Sequence, residues 1–99
     1  MSEAEPLQIS IESLSRALSD PARWQLILEL AKGEATPVRE LARRIRKSPD
    51  MTSHHLNMLR EAGLVIKRYH GIYQIVPGLA PPPGATHMDL GWCQLKLLP

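Results

Sequence analysis

Histidine, serine, cysteine and clustered arginine are the side chains of this sequence with chemical potential, and their spacing limits what they can do. Ser53, His54 and His55 stand in a row. Successive helical residues diverge by about 100°, so Ser53 and His54 do not form a nucleophile–base pair, and no carboxylate is placed to orient the imidazole. The expectation is a protein that is not an enzyme, with His55 near the buried side as a packed or capping histidine. His87 and Cys93, helped by His70 or a partner chain, are the raw material for zinc. A structural zinc site needs four ligands at short spacings, and the chain has no C-x-x-C and no H-x-x-x-H. Neither metal nor cofactor is expected. The single cysteine, Cys93, excludes an internal disulfide framework and fits a reducing cytoplasm. An intermolecular disulfide through Cys93, acting as a redox switch, stays open.

The charges point to phosphate. Net charge is only +2, yet Arg39, Arg43, Arg44, Arg46 and Lys47 fall together against Glu40 alone, while the first twenty residues are acidic apart from Arg16. A basic patch in a nearly neutral domain suits an anionic backbone, and a solvated helix face is the alternative.

The elements that must position these residues are legible from caps and periodicity. Ninety-nine residues, 43% hydrophobic and 22% charged, suit one folded domain. No stretch approaches the roughly 20 apolar residues of a membrane span, and the acidic start is not a secretory signal. Asp20-Pro21, Thr36-Pro37 and Ser48-Pro49 each place an oxygen-bearing cap before a proline, and Gly33 and Gly63 read as helix stops. Four helices follow: about Ile9–Leu18, with Ile11, Leu14 and Leu18 on one stripe; Pro21–Lys32, with Trp24, Ile27, Leu28 and Ala31; Pro37–Ile45, burying Val38, Leu41, Ala42 and Ile45; and Pro49–Ala62, with Thr52, Leu56 and Leu59 inward. Leu64–Tyr69 and Ile72–Val76 read as strands joined by a two-residue turn at His70-Gly71. Pro77–Gly84 reads as a stiff linker, and His87–Leu97 as a strand lacking a partner. The expected class is mostly α with a small β-hairpin (α+β), the outline of a winged helix-turn-helix with an extra C-terminal strand. An N-terminal arm covers 1–8, the winged helix 9–76, and the linker and final strand 77–99.

In such a helix pair the second helix lies in a groove and the first braces it. On a helical wheel Asp50, His54, Asn57 and Glu61 oppose the apolar stripe, with Met51 and Ser53 flanking. Ser48, Asp50, Met51, Ser53, His54 and Asn57 are the candidates for base or groove contact. Arg39, Arg43, Arg44, Lys47, and Arg68 and His70 on the hairpin, are the candidates for phosphate.

Two blocks carry a resemblance to a known family. Ala17-Leu18-Ser19-Asp20-Pro21-Ala22-Arg23-Trp24-Gln25-Leu26-Ile27-Leu28 is similar to the start of ArsR-type winged-helix repressors. Arg39-Glu40-Leu41-Ala42, then Ser48 through Val65 with its Ser-x-x-His-Leu-x-x-Leu-Arg-x-Ala-Gly-Leu-Val pattern, resembles them more closely. The resemblance spans roughly residues 14–76 and implies a dimeric, operator-binding repressor read out by the fourth helix. Many relatives carry metal-sensing cysteines in Glu-Leu-Cys-x-Cys, where this chain has Glu40-Leu41-Ala42-Arg43-Arg44. Others build a ligand site and the dimer on a C-terminal helix that prolines replace here.

The expected function is thus a cytoplasmic, sequence-specific regulator of transcription, a homodimeric repressor on a palindromic duplex operator, with no membrane association and an unassigned effector. Leu7, Ile11, Leu14 and Leu18, together with Met88, Leu90 and Trp92 of the final strand, are the expected dimer contacts. The rival reading is a winged helix used for protein–protein assembly without an operator of its own.

Overall fold

Side-chain caps fix where three of the helices begin in the computed structural model, which describes residues 9–97. Ser10 accepts the Ser13 N–H at 3.0 Å and starts α1, Ile11–Ala17; Asp20 accepts from Ala22 at 2.8 Å and starts α2, Pro21–Leu30. Ser48 accepts from Met51 at 3.1 Å and starts α4, Pro49–Glu61. Pro21 and Pro49 occupy first-turn positions where a missing N–H costs nothing.

The third expected cap is not one. Thr36 and Pro37 form a short strand, β1, and the Thr36 hydroxyl donates to the Glu34 carbonyl at 2.9 Å. Helix α3 therefore starts a residue later, at Val38, and runs to Ile45 with no side-chain cap. Pairing with the wing claims the Thr36 backbone, and an edge strand tolerates a proline.

Helix α4 closes in a Schellman motif. Gly63 takes φ +89°, its N–H donates to Arg60 O at 3.0 Å, and Leu64 N–H donates to Leu59 O at 3.1 Å. Helix α3 closes the same way without a glycine: Arg46 N–H donates to Arg43 O at 3.3 Å and Lys47 N–H to Ala42 O at 3.0 Å. Arg46 itself sits at φ 61°, ψ 44°.

Strands β2, Val65–Arg68, and β3, Ile72–Ile75, pair antiparallel, and β1 adds to the other side of β3 in the order β1-β3-β2. The last pair across the hairpin is Arg68 with Ile72. Its connection is therefore the three residues Tyr69–Gly71, not His70-Gly71 alone, with positive φ at His70 and Gly71.

Helix α2 is the hub of the core. It packs on α3, α4 and β3, so more than one of its faces is covered. The sequence stripe Trp24, Ile27, Leu28, Ala31 is correspondingly displaced: Leu26, Ile27 and Leu30 are the buried residues, while Trp24, Leu28 and Ala31 are half-buried. From the other elements Leu41, Leu56, Leu59, Leu64 and Tyr73 close the interior.

The C-terminal segment departs most from expectation. Strands β4, His87–Asp89, and β5, Gln94–Lys96, pair with each other as a second hairpin, Met88 opposite Leu95. Leu79, Met88 and Leu90 bury in the same core as the helices. Met88 and Leu90 are thus covered within the one chain and, contrary to expectation, offer no surface to a second copy. Leu14 is likewise interior and Leu18 half-buried. Ile11, at 59% exposure, and Trp92, at 46%, are the expected contacts that remain open; Leu7 lies outside the described residues.

Candidate nucleic-acid interface

The two faces of α4 separate cleanly. Thr52, Leu56 and Leu59 have no exposed surface, and His55 is buried beside them. Asp50, Met51, His54 and Glu61 stand on solvent, with Ser53 and Asn57 half-buried at the flanks. The cap residue Ser48 is exposed too, and accepting from Met51 leaves its O–H available to donate. Most of the expected groove-facing residues therefore lie on one open ridge at the N-terminal half of α4, which α3 braces from behind.

The basic residues divide into two groups. Arg43 donates to both carboxylate oxygens of Glu40, and Arg44 donates to Glu40 at 2.9 Å and to Glu29 on α2 at 3.4 Å. The hydrogen bond from Arg43, then that from Arg44, holds the Glu40 carboxyl below its usual range; Glu40 in turn raises both guanidinium pKa values. These two arginines keep their charge but share the Glu40 carboxylate, which weakens their case as phosphate clamps. Arg39, Arg46 and Lys47 are exposed and have no ion-pair partner among the described residues. Arg46 was not among the residues expected to bind; the cluster Arg46-Lys47 at the turn was its signal.

On the wing, Arg68 donates to Gln74 Oε1 at 2.9 Å, which holds its side chain along the hairpin. His70 is exposed at the tip. Tyr69, also unanticipated, is 71% exposed between them because the three-residue connection releases it from the strand.

Behind the ridge lies a polar cluster that periodicity could not find. Arg23 is buried on α2; its Nε donates to Ala17 O at 2.6 Å, its Nη2 to Arg16 O and Ser19 Oγ at 3.4 Å each, and its Nη1 to His55 Nδ1 at 3.0 Å. A guanidinium only donates, so His55 is neutral with its proton on Nε2. Burial first, then the charges of Arg23, His54 and Lys47, push the His55 pKa down, while Asp20 opposes them. Asp20 itself is lowered chiefly by the Ala22 N–H that it caps. Among the described residues no three His, Cys, Asp or Glu side chains are grouped to hold a metal, and no helix is long and apolar enough to cross a membrane.

Three helices, a braced fourth with an open polar ridge, and an antiparallel wing define a winged helix-turn-helix. Residues 20–67 match the model of the bacterial regulatory protein, arsR family. Residues 20–67 thus carry a helix-turn-helix of the ArsR type. It is 40% identical over 62 residues to an uncharacterized HTH-type transcriptional regulator, YdfF, of Bacillus subtilis, covering 63% of this chain and 27% of that protein. It is 34% identical over 71 residues to the HTH-type transcriptional regulator CmtR of Mycobacterium bovis and Mycobacterium tuberculosis, covering 72% of this chain and 59% of CmtR. This chain thus spans between about a quarter and three fifths of these curated relatives' lengths.

Proposed function

We propose that this protein is a sequence-specific regulator of transcription that binds duplex DNA as a homodimer, laying α4 in the major groove and the wing along the backbone. The observation that carries the proposal is the uncovered ridge Ser48–Asp50–Met51–His54 directly opposite a fully buried stripe. In their roles, Asp50 accepts from a cytosine amino group and His54 bonds guanine or phosphate, with Ser53 and Asn57 beside them. Lys47, Arg39 and Arg46 attract phosphates from the turn, and Arg68 and His70 do so from the wing. Arg43 and Arg44 contribute less, since each must first leave a carboxylate. Repression, as opposed to activation, rests on the family resemblance, as does a palindromic operator.

The ion pairing of Arg43 and Arg44 favours a second reading, a winged helix that docks protein instead of DNA. Selection of bound duplexes from a random pool decides between them. An enriched, two-fold symmetric sequence supports the regulator; no enrichment, together with no salt-dependent binding of random duplex by anisotropy, overturns it.

A further inference from the structure

One guanidinium ties three helices together. Through Arg23, the last carbonyls of α1 (Arg16 and Ala17), the α1–α2 turn (Ser19) and α4 (His55) are joined at a single buried point on α2. His55 is the immediate neighbour of His54 on the ridge, so whatever seats His55 also seats the reading face.

We propose that the Arg23–His55 contact is a pH-sensitive coupling that holds α4 in register, so that mild acid unseats the helix and weakens DNA binding. This rests on the DNA-binding function proposed above. A guanidinium in a protein is not deprotonated and only donates. A proton arriving at His55 Nδ1 turns the acceptor into a second donor, 3.0 Å from Nη1. Both side chains are buried, where like charges are poorly screened. Either α4 carries the imidazole away, or Arg23 withdraws and frees the end of α1. The first outcome moves the reader helix relative to α2, the second removes the bond that seats it there, and groove reading tolerates little displacement. The charges facing His55 are Arg23 and the capping Asp20 from α2, Lys47 from the α3–α4 turn and His54 from α4 itself; α1 brings only carbonyls to Arg23. Asp20 is the one anion of that set. It keeps protonation attainable in mild acid, while burial first, and then the charges of Arg23 and Lys47, hold His55 neutral near pH 7.

The test compares the whole chain with its His55→Asn variant, whose amide oxygen replaces Nδ1 as the acceptor and does not titrate. Fluorescence anisotropy on one duplex at pH 7.5 and 5.5 is expected to show wild-type affinity falling roughly three- to tenfold in acid beyond any change in the variant. His54, His70 and His87 are present in both proteins, so the comparison isolates His55. Equal pH dependence in the two proteins overturns the proposal. Proton NMR of the wild-type histidines needs neither a variant nor DNA. A His55 transition below its ordinary value, accompanied by amide shifts at Arg16–Ala17 and along α4, supports the coupling; shifts confined to His55 overturn it. Absence of any duplex binding at pH 7.5 overturns the DNA reading and with it the proposed consequence, and the NMR result then separately decides whether the coupling itself exists.

Discussion

Arg46 carries its side chain through left-handed backbone at φ 61°, ψ 44°, in a motif that α4 closes with Gly63. An L-residue there costs about 1 kcal/mol relative to glycine. Arg46→Gly should therefore raise stability by about 1 kcal/mol and the melting temperature by several degrees. The same variant should bind every duplex more weakly, since it removes one exposed cation. A calorimetric melt beside a random-duplex titration separates the two effects; an unchanged melting temperature contradicts the backbone cost, and an unchanged affinity contradicts the phosphate role. Thr52 presents a simpler case. Its buried Oγ1 has no hydrogen-bond partner, so Thr52→Val, nearly the same shape, should leave stability unchanged or raise it by about 1 kcal/mol in urea unfolding. A loss of similar size would show that the hydroxyl has a partner, such as an ordered water. His55 makes stability itself pH-dependent. Its folded-state pKa lies below the ordinary 6.5, so the unfolded chain takes up the proton first. Stability contributed by the neutral histidine is complete above about 6.5 and declines as pH falls below it, ceasing to change once the folded state is protonated too. Asp20, also lowered, acts in a separate window, below its ordinary 3.8. Urea midpoints between pH 8 and 5 that are flat for wild-type protein would contradict the buried Arg23–His55 pairing.

At the scale of elements, α3 and α4 share the work unequally, and Glu40 sets the balance. Its carboxylate occupies Arg43 and Arg44 together. Glu40→Gln removes one negative charge and loosens two positive ones beside the reader helix, so binding to random duplex should tighten and its salt dependence steepen. Lys47→Ala and Arg39→Ala should do the reverse on all sequences, whereas Asp50→Ala and His54→Ala should change which sequences are preferred. If both pairs act alike on selected and random duplex, the division between ridge and turn is wrong. How far the sequence disclosed these elements follows from where their information resides. Caps at Asp20 and Ser48, stops at Gly33 and Gly63, and the α4 stripe are local patterns, and they located four helices and the exposed ridge. Thr36-Pro37 looked like a third cap because its competitor, pairing of Thr36 with Tyr73, lies 37 positions away and has no local signature. Met88 and Leu90 looked exposed for the same reason: an apolar strand shows that it must be covered, not by which segment. The partners of Arg43, Arg44 and Arg23 also depend on side-chain geometry across helices, which periodicity does not encode.

At the scale of the whole molecule, the chain measures 41 × 26 × 25 Å, and α4 offers it a single reading helix. Successive major grooves on one face of a duplex are about 34 Å apart, so one copy reads one half-site and a second copy is required for two. For the dimer proposed above, the exposed apolar surface left to join two copies is small. Met88 and Leu90 are interior, but Ile11 and Trp92 stay exposed and line one shallow groove with Ile9 and Ser10. Trp92 is held there by a 2.6 Å hydrogen bond from its indole N–H to Ile9 O, which joins the tip of the β4–β5 hairpin to the start of α1. These two elements thus present one small apolar face to solvent. Ile11→Glu tests it with little risk to the fold. Ile11 opens α1, where a carboxylate suits the helix dipole, and its side chain is exposed. The variant should melt within a degree or two of wild type yet sediment as a monomer at micromolar concentration, and its binding to a two-half-site duplex should fall toward that of a single half-site. Should Ile11→Glu sediment as a dimer, the copies meet elsewhere and the hairpin serves only to close the core.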